Sequence, residues 1–316
     1  MKIKLLSLFI GIVLWGCAAQ TSSNKANMAT GTSNDSKKAR RLEILFMGDK
    51  VGHHKPAERL PQLMAALGPK GFNFTYTDDL EDLNPETLAK YDALMLFANW
   101  DSIAPQQAKS LLDYVASGKG FIPVHCASYC FRNNPDVVKL IGGQFWRHTF
   151  DTIQPVWTKP DHPAIAGVKP FKTVDETYLH KLLQPDNIVL TERIVQQDQE
   201  KDKPGRANEP YTWVRTHGKG RVFYTAYGHD ERTWANRGFQ DLIEKGIRWA
   251  VNDDARQALA RQRAGPAGLE SRPLRRWQPW EPYPWRWCRR QGSRSRPVPG
   301  RQSVRLPESG PCHSAW

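Results

Sequence analysis

GKGFIPVHCASYCF, Gly118 to Phe131, is the stretch on which the reading of the fold turns. A glycine-flanked start leads into the apolar run Phe121 to Val124, too short for a typical helix and right for a buried strand. The run ends on an imidazole and a thiol, His125 and Cys126. In an open α/β sheet, ligands bind outside the carboxyl ends of the strands. The question for the rest of the chain is which other reactive side chains stand at strand ends.

Upstream, Arg41 to Gly48 reads as a strand, followed by the polar loop DKVGHHKP. Pro56 then opens a helix with Leu60, Leu63, Met64 and Leu67 on one face, and Gly68-Pro69 stops it. Phe72 to Thr77 is a second strand, and Asn84-Pro85 caps a short helix. Ala93 to Phe97 is a third strand, ending on Asn99-Trp100-Asp101, and Gln106 to Ser117 is an amphipathic helix closed by Gly118. Downstream of the focal strand, Asn134-Pro135 opens a helix that Gly142-Gly143 closes. Alternating apolar strands and helices with short connections predict an α/β fold with a mostly parallel sheet and helices on both faces. The second half is richer in extended segments: Thr152 to Trp157, Asn187 to Ile194, Tyr211 to Thr216 and Arg221 to Tyr227. A last helix spans Phe239 to Val251, and one domain over about 41–253 is the economical reading.

The ends of the chain differ from this body. Lys2 and Lys4, the apolar run Leu5 to Leu14 and then Trp15-Gly16-Cys17 form an export signal, too short to span a bilayer. Leu14 to Cys17 resembles a bacterial lipobox, so residues 1–17 are expected as a lipoprotein-type signal peptide with Cys17 as the lipid anchor. Residues 18–40 read as a flexible linker. The expected location is a membrane-anchored lipoprotein facing the periplasm or cell surface.

The formal net charge of +13 points towards nucleic acid until its distribution is read. Residues 254–316 hold 13 arginines against 4 acids, and the remainder holds 32 bases against 28 acids. The basic character therefore belongs to the tail, and no nucleic-acid partner is expected. From Ala255 onward Lys, Ile, Phe, Asn, Asp, Thr and Met are all absent. The tail reads either as an Arg/Trp-rich arm for a polyanion or membrane surface, or as out-of-frame translation; both predict disorder over 254–316. Of five cysteines, Cys126 and Cys130 are spaced as neither CxxC nor a zinc ribbon, which disfavours a disulfide.

Several segments together resemble the ThuA-like (trehalose utilisation) family: GKGFIPVHCAS, GGQFWRH (Gly142 to His148), VDETY (Val174 to Tyr178), HGKGRVFYTAYGHDERTW (His217 to Trp234) and GIRWA (Gly246 to Ala250). The resemblance covers about residues 42–253. It implies a flavodoxin-like sandwich of the class I glutamine amidotransferase type, and a role in the use of trehalose and related glucosides. In the amidotransferases a cysteine sits on a tight strand-to-helix turn and a His-Pro-Glu completes a triad. By that resemblance Cys126 takes the turn, and His229-Asp230-Glu231 falls where the His-Pro-Glu would be. The catalytic candidates so implied are His125, Cys126, His229 and Glu231. The turn pattern G-x-C-x-G, however, meets Val124 and Ser128 here, which cannot relieve a strained elbow as glycine does. Cys126 as a small buried hydrophobe is favoured over a glutaminase nucleophile.

The histidines give the stronger signal. His54, His125, His148 and His229 all fall at or beside strand ends, where they could share one cleft. Four imidazoles could hold a divalent metal such as zinc, although no HxH or HExxH spacing singles one out. The same histidines could instead bind a sugar, with Trp100 or Trp146 stacked on the ring face. Asp175, Glu176 and Tyr178 could act on the same substrate as an acid or as hydroxyl contacts, with Asp49 and Asp101 as weaker candidates. The expected function is action on, or binding of, a trehalose-like glucoside or keto-glucoside. The alternative is a non-catalytic carbohydrate-binding protein on a degenerate amidotransferase fold. A small carbohydrate and the membrane are the expected partners, with a homo-oligomer allowed for.

Overall fold

A computed structural model describes residues 38–50, 52–195 and 208–264. The signal peptide with Cys17, nearly all of the linker, and the tail beyond 264 lie outside the described residues. The first half alternates as the apolar pattern demands: β1 (Leu42–Met47), α1 (Pro56–Leu67), β2 (Phe72–Thr77), α2 (Pro85–Leu88), β3 (Ala93–Leu96), α3 (Pro105–Ala116), β4 (Gly120–Pro123) and α4 (Pro135–Ile141). Proline stands at the first turn of each of these four helices, where its missing N–H costs nothing. The Asn84 side chain accepts the Thr87 N–H at 2.8 Å, the cap expected from sequence.

Three short ribbon strands and one edge strand follow: β5 (Gln144–Arg147), β6 (Phe150–Ile153), β7 (Val156–Trp157) and β8 (Thr173–Glu176). Then come β9 (Leu179–Lys181), β10 (Ile188–Ile194), β11 (Asn208–His217), β12 (Gly220–Thr225), α5 (Glu231–Trp234), α6 (Arg237–Ala250) and α7 (Asp253–Ala264). The main sheet has eight strands in the order β2-β1-β3-β4-β12-β11-β10-β7. Its first five are parallel and its last three antiparallel. β5 pairs with β9, and β6 with β8, as separate two-stranded ribbons. Helices α1 and α6 pack against each other on one face of the sheet, and α3 and α4 on the other. The parallel strands are buried on both faces, which is why β3 and β4 are apolar at nearly every position.

The structure corrects two of the expected boundaries. The segment 152–157 is not one strand: β6 belongs to a ribbon and β7 to the edge of the main sheet. The domain also continues past 253. In α7, Ala255, Ala258 and Leu259 are buried, and the Ala258 carbonyl accepts the Arg40 N–H at 3.2 Å. The Leu259 side chain fits against Gly71, where a Cβ would come within 2.4 Å of it. Residues 254–264 therefore belong to the fold rather than to a disordered tail.

Gly142 shows why α4 must end where it does. Its φ of +98° favours glycine, and a Cβ there would lie 2.5 Å from Asn187 Oδ1 and 2.6 Å from Trp213 Nε1.

Candidate functional site

β4 runs directly into a 3-10 turn, His125–Tyr129, and His125 takes φ +51° at its start. A left-handed backbone costs a residue with a Cβ roughly 1–2 kcal/mol, so the surroundings must hold it. The Ala127 N–H bonds the Val124 carbonyl at 3.0 Å. The Ser128 hydroxyl donates to the His125 carbonyl at 3.1 Å, and the Tyr224 hydroxyl lies 3.2 Å from that oxygen and 2.9 Å from Ser128 Oγ. Behind Tyr224, His180 Nε2 is 3.0 Å from the phenol, and His180 Nδ1 is 3.0 Å from Glu209 Oε1. Gly228 of the neighbouring loop presses close: a Cβ there would lie 3.1 Å from the His125 Cβ, and its φ is +140°.

This is the strained elbow expected for the strand end, moved by one residue. Its apex is His125, flanked two residues away by Pro123 and Ala127. Cys126 is 1 % exposed and packs in the apolar core. Burial pushes its thiol well above the ordinary range, so it is held protonated and is not an available thiolate. The catalytic assignment of Cys126 is corrected accordingly. Cys126 and Cys130 are both free thiols, and Cys130 Sγ donates to the Ala98 carbonyl at 2.8 Å.

The imidazole at the elbow meets Glu176, the last residue of β8. His125 Nδ1 lies 2.6 Å from the Ala226 carbonyl, which fixes a proton on that nitrogen. Its Nε2 lies 3.1 Å from Glu176 Oε2. That contact is attractive only when Nε2 also carries a proton or shares a cation with the carboxylate. Three more histidines surround the same carboxylate: His229 Nδ1 at 3.0 Å, His148 Nδ1 at 3.5 Å and His54 Nε2 at 4.0 Å. Burial alone would raise the Glu176 pKa, but the imidazoles of His125, His229 and His54 override it and hold the carboxyl far below the usual range. Burial lowers His54 to about 3, so that ring is neutral. Burial opposes charge on His229 too, but Glu176 beside it leaves its pKa raised.

Asp175 sets the geometry without entering the site. Fully buried, it accepts the Gly228 N–H at 2.9 Å, the His229 N–H at 3.1 Å and the Thr233 hydroxyl at 2.7 Å. It thereby pins the loop that carries His229 beside the residue next in sequence, Glu176. Tyr178 lies flat against His125, ring centroids 4.2 Å apart.

The cluster forms one wall of a cleft of about 360 Å³ above the strand ends. Glu176, His53, His54, His148, Asn99 and Asp101 supply its polar lining, and Tyr129, Phe145 and Tyr178 its aromatic lining. His148 Nδ1 lies between two acceptors, the Thr149 carbonyl at 3.3 Å and Glu176 Oε1 at 3.5 Å. Both call for the proton on Nδ1, which leaves Nε2 as a lone-pair base.

The sequence candidates therefore divide. His54, His125, His148, His229, Glu176 and Tyr178 come together. Glu231 does not: its carboxylate is exposed and sits 3.6 Å from Arg59. Trp100 stacks on Phe131, and Trp146 lies under the Arg147 guanidinium; neither lines the cleft, so neither is the expected sugar platform. Asp49 accepts the Asn99 N–H instead of facing the cleft. The expected metal quartet also changes. The donor atoms of His53, His54, Glu176 and His229 lie within 4.8 Å of one another, so His53 and Glu176 replace His125 and His148. His125 has both nitrogens engaged, and His148 stands at the cleft wall. His53, Asn99, Tyr129 and Phe145 were not singled out from sequence. The HisHis doublet after the first strand was the available signal for His53.

No curated protein matches the chain. Among solved structures, a ThuA-like protein from Bacteroides uniformis ATCC 8492 superposes with a TM-score of 0.60 at 19% identity, covering 71% of this chain and 97% of that one. A ThuA-like protein from Parabacteroides merdae ATCC 43184 gives 0.55 at 20% identity, covering 67% and 90%. These likenesses agree with the amidotransferase-type α/β sandwich that the resemblance implies. The family model described as ThuA, trehalose utilisation, matches residues 43–250, which hold all but the first residue of the sheet and every histidine of the cluster, and the chain belongs to that family.

Proposed function

We propose that this protein is an enzyme acting on a glucoside or keto-glucoside by proton transfer in the Glu176 cleft. The observation that carries the reading is the single Glu176 carboxylate ringed by His54, His125, His148 and His229, opening into an aromatic-lined cleft. A carboxylate held so far towards its ionised form is a weak base, so Glu176 is assigned the role of orienting the imidazoles around it. His148 is the proton-transfer group: Glu176 and the Thr149 carbonyl favour its Nδ1–H form, leaving Nε2 to take a proton from substrate. His125 anchors the carboxylate from beneath. Tyr129, Phe145 and Tyr178 offer apolar faces suited to a sugar ring.

Two-carboxylate glycoside hydrolysis fits less well. It needs an acid and a second carboxylate flanking the bond, and Asp175 is engaged by four donors while Asp101 is paired with Arg132. Removal of the proton on a carbon beside a carbonyl needs only one base, with an N–H donor for the enolate oxygen. A keto-glucoside supplies that carbon. The full chain in deuterated water with a methyl keto-glucoside is expected to exchange deuterium into the ring position beside the carbonyl, followed by NMR. H148A should slow exchange by about 10²–10⁴-fold. Absence of exchange or turnover with every glucoside and keto-glucoside tried would leave the carbohydrate-binding alternative, for which the aromatic lining is the supporting observation.

We further propose that the chain is exported and anchored through Cys17, a reading supported by Leu14-Trp15-Gly16-Cys17. C17S should move the protein from the membrane fraction to the soluble periplasmic fraction. An unchanged distribution would remove the anchor.

A further inference from the structure

We propose that His53, His54, His229 and Glu176 form a binding site for one divalent transition-metal ion of the zinc class, at the wall of the cleft. The proposal goes beyond the proton-transfer reading, and each can fail without the other. Four donor atoms from three separate parts of the chain converge within 4.8 Å. The loop after β1 brings His53 and His54, the end of β8 brings Glu176, and the loop after β12 brings His229.

Two nitrogens in this group lack the partners that a purely structural role would give them. His54 is 4 % exposed, yet its Nε2 has no hydrogen-bond partner among the described residues. His229 Nδ1, 3.0 Å from Glu176 Oε1, is misaligned for a hydrogen bond and is equally unpartnered there. Buried polar atoms in folded proteins are nearly always paired, and two such nitrogens converging on one carboxylate are what a cation between them would explain. The rings are crowded: His53 and His54 centroids are 4.1 Å apart, His54 and His229 5.3 Å, His53 and His229 5.4 Å. Rings packed this closely can aim several nitrogens at one point between them.

The surroundings supply the outer contacts that metal-bound histidines need. The Asn99 side-chain amide lies 3.0 Å from His54 Nδ1. The amide nitrogen is the atom facing that ring; turning the amide over to present its oxygen would let it accept Nδ1–H and leave the Nε2 lone pair for the ion. The His125 Nε2 contact behind Glu176 serves the carboxylate in the same way. Tetrahedral zinc bonds of about 2.0–2.1 Å place donors about 3.3 Å apart, so the four side chains close in by roughly an ångström when they bind. Three imidazoles and one carboxylate suit zinc, cobalt or iron rather than calcium or magnesium. Four protein donors would close a tetrahedral ion, so a substrate carbonyl oxygen would be polarised there only if the ion expanded to five ligands.

The test is a titration of the full chain, stripped with chelator, with Co²⁺ followed by its visible absorption, and then displacement by Zn²⁺. One equivalent is expected, with at least tenfold weaker binding in H53A and H229A and no change in H217A, a histidine on the distant β11–β12 turn. His53 is exposed, so H53A tests the site without threatening the fold. Substoichiometric binding, or H53A and H229A within twofold of the natural protein, would overturn the site. Because no sugar is present, the result is independent of turnover. Sugar turnover that persists in chelator with no Co²⁺ bound would leave proton transfer standing and remove the metal. Tight Co²⁺ binding with no sugar turnover would do the reverse.

Discussion

Two histidine–glutamate contacts lie within this fold, and they are built to opposite ends. His180 and Glu209 meet at 3.0 Å with both side chains fully buried, and the other nitrogen of His180 faces the Tyr224 phenol. Glu176 meets His125 at a similar 3.1 Å, but three further imidazoles crowd the same carboxylate and a cleft opens beside it. The first arrangement is sealed and holds the elbow from below. The second has more nitrogen donors than one carboxylate can satisfy, and it faces outward. The distance between the partners does not separate a structural pair from a reacting one. What separates them is that one pair is closed off from solvent, while the other gathers four imidazoles on one carboxylate beside a cleft.

The sharpest way to break this contrast is to remove one member of each pair. H180A strands a carboxylate away from solvent without its imidazole, and should cost about 3–5 kcal/mol of stability in urea unfolding. An H180A protein as stable as the natural one would make the sealed pair dispensable. E176Q should lower sugar turnover about 10²–10³-fold, roughly 3–4 kcal/mol of barrier. It should cost less stability than H180A, because the amide keeps the shape of the carboxylate and the cleft beside it admits water. Equal stability losses in H180A and E176Q would erase the distinction.

Acidification sharpens it further. The folded value for His54 is about 3 against 6.5 for a free histidine. Between those values the unfolded chain binds a proton that the folded chain refuses, so stability falls as pH falls. His229 acts in the opposite sense: its raised pKa gives stability that is complete below about 6.5 and lost as pH rises through the folded value. From pH 6 to 4.5 the His229 contribution is already saturated and His54 governs the slope, by up to about 1.4 kcal/mol per pH unit. Thermal melts of the chelator-stripped protein across that window should slope downward, and those of H54N should be flatter; parallel slopes would sink the assignment. The smallest effect is expected at Glu231, exposed beside Arg59. E231A should change turnover less than twofold and stability by less than about 0.5 kcal/mol.

Much of this architecture was legible in the chain, because its parallel strands are continuous apolar runs and its helices open on proline and close on glycine. β1, β2, β3 and β4 fall within a residue or two of their expected spans. α7 was missed because Ala, Arg and Gln carry little periodic contrast. Ala255, Ala258 and Leu259, at helical spacing, were the signal, and they are the residues it buries. The histidines could be proposed because each follows a strand. The central place of Glu176 could not, since β8 is a ribbon strand outside the main sheet and no local pattern tells where its end will point. The elbow was off by one for a related reason. A one-residue shift along an extended chain exchanges cleft and core, and here the cleft goes to His125 and the core to Cys126.

The central claim is that substrate meets the Glu176 histidines and not the elbow thiol or the sealed pair. It is tested most directly by labelling the histidine rings with ¹³C and titrating the full chain with a methyl keto-glucoside. The account predicts that resonances of His148, His54 and His229 shift together with one affinity, while His180 and His217 stay fixed. Shifts confined to His180 or His217, or a full response in which His148 does not move, would contradict it.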